Sequence, residues 1–186
     1  MVFAFPLPRG VVMSSSALVG FSGSRSLPAS FGGLAAELAG TVVASGRGVA
    51  VGCAPGLDAM IRAACPGAEV FRVSGSGRGD FAARSVACVQ AVAASGVGAG
   101  WVSCPGCRCP AGLVPSPVAS RCFRGLGSGS WASAALAAGL GLPVIVFGLS
   151  ASQLPSSWGT WSPAAVSGPW SHGFRLTPAV QQLSLF

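Results

Sequence analysis

The chain has 186 residues, a net charge of +7 and 28 glycines, which fits one domain of ordinary size plus an appendage. All eleven basic residues are Arg, and Lys, Asn and Tyr are absent; we read this as a GC-rich coding bias that raises hydropathy without implying a membrane. Residues 125–171 carry no charge, but Pro143, Pro155, Pro163 and Pro169 interrupt them, no clean apolar run of about 18–20 residues survives, and a membrane span is excluded.

Residues 1–16 read as an N-terminal extension. They have no basic segment ahead of an apolar one and contain early prolines, so they make a poor signal peptide and the expected compartment is the cytoplasm. ALVGFSG (17–23) is an apolar run ending in Gly, which suits a buried strand. Residues 30–45 have helical spacing, with Ser30 as candidate N-cap. GVAVGC (48–53) is a second strand, LDAMIRAAC (57–65) a short helix and AEVFRVS (68–74) a third strand. Asp80 is placed to cap a helix over 81–95. AGWVSC (99–104) is a fourth strand; after a long loop, residues 130–140 form a helix and 143–148 a fifth strand.

Strands that alternate with helices imply βαβ units and a parallel sheet. Continuous apolar strands imply that the sheet is covered on both sides. The expected fold is α/β, a Rossmann-like doubly wound parallel sheet of about five strands with helices on both faces, spanning residues 17–149. Residues 150–180 are rich in Ser and Pro and contain Trp158, Trp161 and Trp170. They read as a tether, or as a loop whose Trp side chains pack on the domain.

Such sheets bind ligands beyond the carboxyl ends of their strands. The loops there contain Gly20, Ser22, Gly23, Ser24 and Arg25; Gly52, Gly56 and Asp58; Arg78; and Gly127, Ser128, Gly129 and Ser130. Small residues let backbone N–H groups approach an anion, and Arg adds a charged fork. Four glycine-rich loops on one sheet edge point to a phosphate-bearing ligand. The first loop lacks the GxGxxG fingerprint, which disfavours an NAD dehydrogenase. A chain without Lys has no P-loop Lys.

These motifs, in this order, resemble the Smf/DprA–LOG (SLOG) superfamily of nucleotide-binding domains, nearest its DprA/Smf branch. GFSGSR (20–25) resembles the strand-one Gly-Ser-Arg motif, and VAVGCAPGLDAMIRAA (49–64) the family's strand-to-helix segment with Gly52, Gly56 and Asp58. FAARS (81–85) is similar to the Arg-containing helix start, matching Arg84, and residues 127–148 resemble the Gly-Ser-Gly-Ser helix and final strand. The resemblance covers about residues 17–148. It implies binding of a nucleotide, a nucleoside phosphate or single-stranded DNA, in a protein of DNA processing or replication. Relatives often dimerise, which leaves a homodimer open.

The LOG enzymes, phosphoribohydrolases of nucleoside 5′-monophosphates, carry a Glu on the helix after the last glycine motif. Residues 131–140 contain no acid, and the chain's only acids are Glu37, Asp58, Glu69 and Asp80. No catalytic residue is assigned, and Asp58 reads as a helix-start cap and loop organiser. A phosphoribohydrolase, or a sensor or sponge for a nucleotide signal, is the alternative function. The single His172 lies outside the domain motifs, so no Ser-His-Asp or Cys-His set is legible inside them.

Seven cysteines are an odd number for a disulfide framework. Cys53, Cys65 and Cys88 read as small core residues. Cys104, Cys107, Cys109 and Cys122 have the count for a zinc site and one Cys-x-x-Cys spacing. Reduced loop thiols and redox pairing are the competing readings.

The chain ends in QQLSLF. Gln182, Leu183, Ser184, Leu185 and Phe186 resemble the bacterial sliding-clamp-binding motif, in which an extended peptide sets a polar anchor and apolar side chains into a groove. The resemblance implies the clamp as a partner; the competing reading is a terminus that packs on its own domain.

Overall fold

The structure, a computed structural model, describes residues 16–179. Its elements run β1 (Leu18–Gly23), α1 (Phe31–Ala44), β2 (Gly48–Gly52), α2 (Leu57–Ala64), β3 (Glu69–Phe71), α3 (Arg78–Ala94) and β4 (Gly100–Cys104). There follow α4 (Ala119–Cys122), α5 (Gly129–Gly139), β5 (Val144–Phe147), β6 (Gly159–Pro163) and β7 (Gly173–Pro178). One sheet holds all seven strands in the order β3-β2-β1-β4-β5-β7-β6.

The β3-β2-β1-β4-β5 part is parallel and is the Rossmann-like core expected. Strand order reverses between β1 and β4, which opens a crevice at their carboxyl ends. The strands are apolar on both faces because both are covered. Val19, Phe21, Val51, Val102 and Phe147 pack with Leu38, Val42, Leu57 and Ile61 of α1 and α2. Their neighbours in sequence point the other way: Ala50, Trp101 and Val146 pack with Val89, Val92 and Leu136 of α3 and α5. The period of two along each strand produces this division.

Two expectations are corrected. The sheet has seven strands rather than five and is mixed, because β7 pairs antiparallel with β5 and β6 antiparallel with β7. The segment read as a tether, or as a loop packed through its Trp side chains, therefore extends the sheet through β6 and β7. GTWSP and GFRLTP escape detection as strands because their outward positions are exposed, which leaves no continuous apolar run.

The Trp residues fasten this addition to both faces. Trp158 is buried, donates from Nε1 to the Leu113 carbonyl at 2.8 Å and meets Trp131 edge-on at 5.4 Å. On the opposite face Trp170 donates to Thr41 Oγ1 at 2.9 Å and packs on Phe147. Burying Trp158 fixes both β6 and the loop after β4, since Leu113 belongs to that loop.

Helix starts also differ locally. Ser30 occupies the N-cap position of α1 but makes no side-chain capping bond. α3 begins at Arg78, so Asp80 lies in its first turn, where its carboxylate accepts the Gly77 N–H at 2.9 Å. Of the presumed core cysteines, Cys88 is buried and Cys53 and Cys65 are half-buried. No helix among the described residues is long and apolar enough to cross a membrane.

Candidate functional site

A cleft of about 810 Å³ opens at the carboxyl ends of β1, β2 and β4, where the strand order reverses. Of the phosphate-binding candidates, Ser22, Gly23, Ser24, Arg25, Gly52, Asp58, Arg78, Arg84, Gly127, Ser128, Gly129 and Ser130 line it. Gly20 and Gly56 do not, and each has a structural role instead. A Cβ on Gly20 would enter the Trp101 ring. Gly56 has φ +72°, and a Cβ there would strike the Ser24 carbonyl; it starts α2 where the loop after β1 passes over it.

The wall between β2 and α3 carries a buried ion pair. Arg84 Nη1 donates to Asp58 Oδ2 at 3.1 Å, and the two side chains are 9% and 8% exposed. The same oxygen accepts the Ala54 N–H at 3.2 Å. Arg62 donates to the carbonyls of Gly52 and Ala54 at 2.7 and 3.1 Å and so braces the loop that presents Asp58. Gly52 makes room for the pair, because a Cβ there would collide with Arg84 Nη1 and lie 2.5 Å from Asp58 Oδ2. Burial pushes the Asp58 carboxyl above the usual carboxylate range, against the pull of Arg84, the Ala54 N–H and Arg62. Arg84 Nε is buried and has no hydrogen-bond partner among the described residues.

Beside this pair, Arg25 lies over the ring of Phe81, also on α3, at 4.9 Å, a cation–π contact that orders its side chain. Arg78 stands at the start of α3. Three guanidinium groups therefore share the wall with a single carboxylate, Asp58, which is already paired. The first residues of α3 and α5, Arg78, Gly79, Gly129 and Ser130, also line this space. Helix starts leave N–H donors without intrahelical partners and add the positive end of the dipole. Ser128 caps α5 by accepting the Trp131 N–H at 3.4 Å. The N–H groups of Gly129 and Ser130, in the first turn, have no partner within the helix.

Beneath α5 runs a chain of hydrogen bonds that sequence reasoning missed. Trp101 Nε1 donates to Ser22 Oγ at 3.0 Å, Ser22 Oγ to Ser103 Oγ at 3.4 Å, and Ser103 Oγ to the Ser130 carbonyl at 3.2 Å. Ser22 and Ser103 are register partners on β1 and β4, and the isolated Ser within WVSC was the available signal. Phe81, Ser85 and Phe123 also line the cleft without having been singled out.

Of the readings open for Cys104, Cys107, Cys109 and Cys122, the zinc site is not assembled among the described residues. No group of three or more His, Cys, Asp or Glu among the described residues is placed to hold a metal ion. The cause is strand alternation: Cys104 points into the α1–α2 core, whereas Cys122 and Cys109 pack on the α3–α5 side. Burial pushes the Cys109 thiol up to about 12 and also raises the thiols of Cys104 and Cys122. Cys122 donates to the Ser116 carbonyl at 3.5 Å, as a packed thiol does. Cys107 is exposed and lines the cleft. Its loop is held by the bond from Trp131 Nε1 to the Cys107 carbonyl at 2.8 Å.

The residues 182–186, expected to bind the clamp, lie outside the described residues. Comparison with known proteins returned no matching family model, no matching curated protein and no matching solved structure.

Proposed function

We propose that the protein binds a nucleotide, or the phosphates of single-stranded DNA, in this cleft without cleaving it. The carrying observation is the convergence of Arg25, Arg78 and Arg84 with the N-termini of α3 and α5 at the strand-order reversal. The volume, about 810 Å³, falls within the range of small-ligand sites and favours one nucleotide over a longer strand. In the reading the sequence resemblance supports, the protein is a DprA-like member of the SLOG superfamily working in DNA processing. Gln182–Phe186 then recruit it to the sliding clamp.

Mass spectrometry of small molecules released from natively purified protein tests the ligand directly; a nucleotide in stoichiometric amount is the expected result. Arg25→Ala is expected to abolish binding. A shallow salt dependence marks a mononucleotide and a steep one marks DNA. Release of free base from a nucleoside monophosphate would establish the phosphoribohydrolase alternative instead. For the clamp, loss of binding on deleting residues 182–186, reproduced by a QQLSLF peptide, is expected; clamp binding that survives the deletion sinks that part.

A further inference from the structure

We propose that Asp58 is a positioning residue for Arg84 and that its carboxylate takes up one proton from solvent when an anion enters the cleft. This rests on the anion-binding reading of the cleft. In the unliganded protein the Asp58 carboxylate is the counterion of Arg84, at 3.1 Å. Both residues line the cavity in which a phosphoryl group would approach the same guanidinium. Two anions cannot share one buried guanidinium without strong repulsion. A phosphate keeps at least one negative charge even after taking up a proton, whereas one proton neutralises Asp58 completely. Arg84 is under-used as it stands, since Nε has no partner.

The surroundings decide which group takes the proton. Arg84 and Cys88 face Asp58 from α3, and Arg62 faces it from its own helix, α2. Burial pushes the Cys88 thiol up to about 12, so it is already neutral and has no charge to give up. The arginines keep theirs. Protonated Asp58 retains an oxygen for the Ala54 N–H at 3.2 Å, so the loop survives while the guanidinium turns to the ligand. The Asp58 carboxyl is already raised by desolvation, and an arriving anion raises it further. Binding is therefore tightest at low pH. It weakens as pH rises through the window between the midpoint of the free carboxyl and that in the complex.

The test is isothermal titration calorimetry of the full chain with each of the four common nucleoside 5′-monophosphates, and then with the 5′-sulfate analogue of the one that binds best. The phosphate itself titrates near pH ~6; the sulfate has fixed charge and removes that proton from the balance. Runs in buffers of different ionisation enthalpy count protons. The expected result for the sulfate is uptake of up to one proton, with Kd rising by up to about tenfold per pH unit in the window. Asp58→Asn is expected to bind with no proton uptake and no pH slope, a signature that a purely structural role would not produce. If that variant fails to fold, the proton count on the unaltered protein still decides. Binding of the sulfate with no proton uptake overturns this proposal alone. Absence of binding by every probe overturns it together with the anion-binding reading.

Discussion

The two faces of the parallel sheet are built from alternate residues of the same strands and come to opposite ends. Val19, Phe21, Val51 and Val102 fill the α1–α2 side with apolar volume down to the strand termini. On the α3–α5 side the alternate positions at the carboxyl ends of these strands are Ser22, Gly52 and Ser103. Small residues there leave space, and that space holds the Asp58–Arg84 pair, the hydroxyl chain and the cleft. The proposed ligand site is the place where one face of the sheet is not filled. The filled face supplies the stability that keeps buried charge on the other in register.

The contrast predicts opposite signatures for mutation. Leu38 of α1 is 1% exposed in the filled face, and Leu38→Ala is expected to destabilise by about 3 kcal/mol. Nucleotide affinity below the melting transition should change little, because Leu38 does not line the cleft and reaches it only through Phe21. Chemical denaturation with parallel binding measurements checks it; equal loss of affinity would mean the faces are coupled. Gly52→Ala reverses the pattern. The new methyl enters space held by Arg84 Nη1 and Asp58 Oδ2, so overpacking of about 1–3 kcal/mol is expected. Affinity should collapse as well, because Arg84 is the group displaced. A well-bound ligand in Gly52→Ala would show that the pair is not part of the site.

The filled face was readable from sequence because strand and helix periodicity both demand apolar residues there. That gave the parallel strands, their flanking helices and the sheet edge that carries the loops. Two things were not readable. β6 and β7 lie beyond the parallel core and carry polar, exposed positions such as Thr160, Ser162, Arg175 and Thr177, so hydrophobic runs did not mark them. Their Trp residues were visible, but not the face each would grip. The cysteine motif failed for the converse reason. Spacing along the chain records count and distance, but strand alternation had already sent Cys104 to the opposite side of the sheet from Cys109 and Cys122. Most of the glycine-loop residues do meet at one sheet edge, because the reversal between β1 and β4 gathers them whatever their separation in sequence.

The smallest expected effect tests whether the hydroxyl chain belongs to the core or to the cleft. Ser22 Oγ is the acceptor for Trp101 Nε1 at 3.0 Å, and Trp101 is 2% exposed. Ser22→Ala removes the acceptor and leaves the indole N–H buried and unpaired, a cost of about 1–2 kcal/mol. If the chain only satisfies the indole, the loss ends there and ligand affinity is unchanged. The geometry argues for more. Ser22 lines the cleft, and its partner Ser103 bonds to the Ser130 carbonyl in the first turn of α5. Freeing Ser103 should loosen the helix start that carries the Gly129 and Ser130 N–H donors, and affinity should fall about three- to tenfold, in line with one lost hydrogen bond. Ser22→Cys gives the sharper reading. It restores a weak acceptor at nearly the same volume, so stability should recover partly. Affinity should recover with it only if the donors of α5 are held through this chain.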